Sequence, residues 1–195
     1  MPVPASLTTF ADRIDRLNTT IGRAAAWLAL AVVLVQFALV VARYVFSYGS
    51  IWLTESVTYG HATLIMLAAA WTLKAGGHVR VDVFYAHAGA RTRAVIDLAG
   101  SILLLLPFAL TLLWLSVPYA GRSWAILERS QEVGGLPLVF LLKTLVPVFA
   151  LLMALQGVAQ AIRAWSTLHT PPVTPGLDPG VHPTLQDGSP GQARQ

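Results

Sequence analysis

Nineteen consecutive residues between Arg23 and Arg43, AAAWLALAVVLVQFALVVA, carry no charge. Coiled as a helix at 1.5 Å per residue they cover roughly 28 Å, close to the ~30 Å of bilayer hydrocarbon. Three more windows follow: Ile51 to Leu73, with the acid Glu55; Ala94 to Tyr119; and Pro137 to Arg163, with Lys143 inside it. Lipid offers a backbone no hydrogen-bond partner, so each window must be an α-helix. The chain is therefore read as an all-α integral membrane protein. Four transmembrane helices, at about residues 24–46, 51–73, 94–119 and 137–163, form one transmembrane domain over residues 23–165.

Charge sets the direction of these spans. Only 11% of the residues are charged and 55% are hydrophobic, against roughly a quarter charged in a soluble domain. With four spans, both termini and the loop between the second and third share one side. That side holds nine basic residues: Arg13, Arg16, Arg23, Lys74, Arg80, Arg91, Arg93, Arg163 and Arg194. The other holds four: Arg43, Arg122, Arg129 and Lys143. The excess places both termini in the cytoplasm. It also accounts for the net charge of +4 without a nucleic-acid partner. The absence of cysteine rules out disulfides, thiolate metal sites and covalent c-type haem.

Two segments flank the spans. In residues 1–22, Leu7, Phe10, Ile14, Leu17 and Ile21 recur at spacings of three and four with charged residues between them. This pattern is an amphipathic helix, either lying along the cytoplasmic membrane face or extending the first span. The first apolar run is too long for a cleaved signal and follows Asp12 and Asp15, so it is expected to stay in the membrane. Residues 166–195 are rich in proline and glycine and are expected to form a disordered tail. Its His169 and His182 read as ordinary tail residues.

Polar groups inside the spans are costly and need partners. Glu55 is expected to pair with Arg43 or Lys143 at the same depth. On the second helix Thr54, Thr58, His61, Ile65, Ala68, Ala69 and Thr72 share one side, and Leu53, Val57, Leu64, Leu67 and Trp71 the other. The small and polar side is expected to pack on other helices and the bulky side to meet lipid. His61 is the one histidine within a span, so a haem with two axial histidines has no second ligand and no cofactor is expected. Gln36 and Gln156 suit interhelical hydrogen bonds, and Pro107 and Pro118 should kink or end the third helix. Motifs of hydrolases, zinc peptidases and phosphate-binding loops do not occur, and no enzymatic chemistry is expected.

Between the second and third spans stands KAGGHVRVDVFY, residues 74–85. Lys74 suits the negative end of a helix, and Gly76 and Gly77 suit the left-handed turn that stops it. His78, Arg80 and Asp82 alternate with valines, as in an ordered connector at headgroup level. Here the sequence resembles the small, DctQ-like membrane subunit of tripartite ATP-independent periplasmic (TRAP) transporters. The resemblance rests on ARYVF at 42–46, Trp52 and Glu55 in W-x-x-E, GGHVRVD at 76–82, GGLP at 134–137, KTLVP at 143–147 and LQG at 155–157, covering roughly residues 10 to 165.

The resemblance implies a bacterial inner-membrane location and two partners. One is a large, DctM-like permease subunit that carries the substrate path; the other is a periplasmic, DctP-like solute-binding protein. It also implies ion-gradient-driven uptake in which the small subunit is a static scaffold. Arg43, Trp52 and Glu55 would form a periplasmic structural cluster, Lys143 would be buried near the fourth helix's interface, and GGHVRVD would contact the partner or lipid headgroups. Two competing readings are a membrane anchor for a haem or redox enzyme and an independent small transporter.

Overall fold

The structure, a computed structural model, describes residues 4–77, 85 and 88–169. These residues form four long helices: α1, Ala5–Val45; α2, Ile51–Lys74; α3, Ala90–Ala125; and α4, Val139–His169. By length and composition α1, α3 and α4 are apolar enough to cross a membrane. α2 has 24 residues but is more polar, because Thr54, Glu55, Ser56, Thr58, Tyr59, His61 and Thr63 crowd its first half.

α1 runs for 41 residues, about 61 Å at 1.5 Å per residue. Its sequence holds no proline and a single glycine, Gly22, so nothing interrupts the hydrogen-bond ladder. The amphipathic segment is thus a continuation of the first apolar run. Its inward line is Ala11, Asp15, Asn18, Gly22 and Ala25, at alternating spacings of four and three. Narrow residues along that line permit close approach: Ala11 and Ile14 form a buried cluster with Ala159 of α4. Leu7, Phe10 and Leu17 stay exposed.

Short turns make neighbours antiparallel. After α1, Tyr48 N donates to Ala42 O at 2.9 Å, and the Ser50 hydroxyl accepts from Leu53 N to cap α2. α2 stops at Gly76, which takes φ 71°, while Gly77 N donates to Thr72 O at 2.9 Å. Along the α1–α2 seam glycine sets the spacing. A side chain at Gly22 would place its Cβ 2.5 Å from Trp71 Cβ, and one at Gly60 would meet Val32 Cγ2 at 2.7 Å.

Neither Pro107 nor Pro118 ends α3. A π-helical stretch, Gly100–Leu105, precedes Pro107 and widens the turn where proline offers no N–H. The helix then passes Pro118 and stops at Ala125. α4 packs against all three other helices, and its Leu152, Met153 and Ala154 build the main core with Ala70 of α2 and Ala109 of α3. It runs to His169, four residues past Trp165, where the sequence changes character; residues 170–195 lie outside the described residues.

The seam gives a direct test. Gly22→Val overfills the contact with Trp71 and should cost about 1–3 kcal/mol, lowering the thermal midpoint in detergent. Gly121→Ala, in a helix where an added Cβ meets nothing within 4 Å, should be neutral or raise it.

Candidate functional site

Polar side chains gather at the two ends of the bundle. The end where α2 stops and α3 starts is here the base; the end with the α1–α2 and α3–α4 turns is the crown.

At the base, α1 supplies Asp12, Asp15, Asn18 and Thr19, α2 supplies Lys74, and α4 supplies Gln156, Gln160 and Arg163. Asn18 and Gln156 are each 1% exposed and Asp15 4%. Gln156 sits between the other two: its Nε2 donates to Asp15 Oδ1 at 3.0 Å, and its Oε1 accepts from Asn18 Nδ2 at 2.7 Å. Arg163 pairs with the Asp15 carboxylate and with Asp12 at 3.0 Å. Lys74 Nζ donates to Thr19 Oγ1 at 2.8 Å and lies 4.0 Å from Asp15 Oδ2. Gln160 Nε2 donates to Leu73 O at 3.4 Å, a carbonyl at the end of α2 that also accepts from Gly76 N at 3.1 Å. Two acids face two bases, so the buried Asp15 is compensated.

The crown is organised by Glu55. Its carboxylate accepts from Leu136 N at 2.5 Å and from the Ser130 hydroxyl. Ser130 N donates to Leu136 O at 3.2 Å, and Gly135 N to Glu132 O at 3.0 Å, closing the α3–α4 turn on itself. Gly134 supplies φ 83°. Gly135 must lack a side chain, since a Cβ there would lie 2.8 Å from Glu55 Oε1 and collide with Ser130. Lys143 pairs with Glu128, its Nζ 2.6 and 2.8 Å from the two carboxylate oxygens, and stands 4.5 Å from the Tyr119 ring centre. That hydrogen bond holds the Glu128 carboxyl below its ordinary range. The pair's stabilisation is therefore complete above the usual carboxylate pKa and is lost as pH falls through the lowered one.

The residues singled out from sequence fall into distinct places. Glu55 bonds the loop backbone and Ser130 instead of Arg43 or Lys143. Lys143 finds Glu128 nearer, and Arg43 and Trp52 are exposed. Gln156 joins the base; Gln36 is exposed on α1. The side of α2 expected to pack divides: Ala69 packs on the core as expected, while Thr54, Thr58, His61 and Ile65 lie outward and exposed, and two residues of the bulky side turn inward. Trp71 covers Gly22 and Leu67 packs on the core, because glycine on α1 leaves room for the indole. His78, Arg80 and Asp82 lie outside the described residues. Beyond them, Tyr85 fastens the connector to α3 through Asp97 Oδ2 at 2.8 Å.

Sequence reasoning passed over Asp15, Asn18 and Arg163. The available signal was the small-residue line of α1, on which Asp15 and Asn18 occupy two positions in register with Gly22 and Ala25. Among the described residues no group of three or more histidines and carboxylates could hold a metal ion.

The family model for the DctQ component of tripartite ATP-independent periplasmic transporters matches residues 32–167. The match takes in more than two-thirds of the chain, including the crown, α2 and Gln156, and begins after Asp15 and Asn18. No curated protein and no solved structure matches the chain.

Two substitutions rank the contacts. Gln156→Leu strands Asn18 and Asp15 and should cost about 1–3 kcal/mol in denaturant unfolding. Asp12→Ala, which breaks the exposed pair with Arg163, should cost less than about 1 kcal/mol; the reverse order would show that the surface charge pair, not the amide, joins α1 to α4. At the crown, Glu55→Ala should release the turn and make residues 126–138 cleavable by added protease in intact proteoliposomes.

Proposed function

Because the chain belongs to the DctQ component family of tripartite ATP-independent periplasmic transporters, a family of transporter components and not of enzymes, we propose that it is the fixed membrane scaffold on which a large permease subunit works. In this reading all four helices cross the bacterial inner membrane, with the base in the cytoplasm and the crown facing the periplasm. The large subunit carries the solute, a periplasmic binding protein delivers it, and an ion gradient drives uptake.

The family match carries the proposal, and the geometry supports it. Both polar clusters consist of groups that bond one another across helices, an arrangement suited to holding shape. For α2 as a span, the contacts of Trp71 with Gly22 and Val32 with Gly60 set it alongside α1 from Gly60 to Trp71. At 24 residues it reaches about 36 Å, enough for the hydrocarbon. For the orientation, among the described residues seven basic residues (Arg13, Arg16, Arg23, Lys74, Arg91, Arg93 and Arg163) belong to the base side and four to the crown side, which favours a cytoplasmic base.

Co-expression tests the scaffold role. The tagged chain should elute from detergent in equal stoichiometry with the large permease subunit. Liposomes holding both should take up solute when binding protein and an ion gradient are supplied, and liposomes holding this chain alone should not. Uptake by the lone chain would make it an independent transporter and sink the proposal.

A further inference from the structure

α2 turns a line of Thr54, Thr58, His61 and Ile65 away from the bundle, all four of them exposed. Spacings of four, three and four put them on one face. Elsewhere the outward surface is mainly apolar, with Gln36 of α1 and Thr111 of α3 standing singly in it: Leu103, Leu104 and Trp114 on α3, and Val33 and Phe37 on α1, are exposed, and these are residues that lipid accepts.

The threonines on the line have satisfied their hydroxyls within the helix, Thr54 to Ser50 O at 3.0 Å and Thr58 to Thr54 O at 3.3 Å. They present methyl groups and a shallow contour, the relief against which a second helix packs closely. His61, near the middle of α2, makes no hydrogen bond among the described residues. A bare imidazole facing hydrocarbon at that depth is costly. α1 and α4 already cover the other sides of α2, so the missing partner comes from another chain.

We propose that this line is the docking face for one transmembrane helix of the large permease subunit. That helix carries small residues opposite Thr54 and Thr58 and a hydrogen-bonding group opposite His61. The inference rests on the scaffold reading above. The family description, one component of a tripartite assembly, supplies a chain of different sequence to cover the face, and the polar line matches a partner with its own polar group at mid-membrane.

The test places the photo-reactive residue p-benzoylphenylalanine, one position at a time, at Thr58 and Ile65 and, for comparison, at Leu104 and Trp114 of α3, in the co-expressed complex. Illumination should give adducts with the large subunit from the two α2 positions and not from α3. His61→Leu should weaken retention of the large subunit on the order of threefold to tenfold with this chain's own membrane level unchanged, and His61→Gln should restore most of it. Co-elution of the unsubstituted pair with adducts only from α3, or adducts between two copies of this chain from α2, would overturn the docking face and leave the scaffold reading standing. Unchanged retention in His61→Leu would overturn the role given to the imidazole. Failure of the unsubstituted pair to co-elute would remove both readings together.

Discussion

The amide of Gln156 joins α1 and α4 from within the bundle, where both partners are buried. Through it α4 grips Asp15 and Asn18 of α1, and the rest of the bundle is arranged about that grip. The next residue, Gly157, faces α3, where its lack of a side chain lets Leu105 and Leu106 close in; an added Cβ would stand 3.0 Å from Leu105 Cδ2. One turn further, Gln160 reaches the Leu73 carbonyl at the end of α2. Five residues of α4 thus touch every other helix. In a bilayer, where lipid is as apolar as leucine, contacts of this kind and close packing hold helices together. That is why the buried core is mostly alanine.

The two ends solve different problems. At the base the charges join helices distant in sequence, Asp15 with Arg163 and Lys74. At the crown they fix a turn: Glu55 reads the backbone of the α3–α4 connection, and Glu128 meets Lys143 only 15 residues away. GGLP and W-x-x-E, far apart in the chain, are two halves of one contact.

The helical character was legible because uncharged windows of bilayer length admit no other structure, and Gly76 was legible because few residues suit a left-handed helix stop. The partners of Glu55 were not. They are a backbone N–H and a serine, and neither leaves a mark in a count of charges. The faces of α2 were also hidden: Trp71 looks like a lipid-facing residue until Gly22 on another helix provides the space for it. The continuity of α1 was half visible, since periodicity shows a face and cannot show whether a helix bends at the interface. The place of Pro107 within α3 depends on a local π turn that no pattern of hydrophobicity predicts.

An unbroken α1 has a mechanical consequence. About 61 Å of helix is clamped near its start by α4 and joined at its far end to α2 through a tight turn. Such a rod cannot shorten, and its lower charges cannot slide into hydrocarbon without breaking the clamp. In a bilayer of different thickness the subunit accommodates by leaning as a whole, because no single helix is free to shift in register. The tilt of one stiff element then sets the tilt of everything fastened to it.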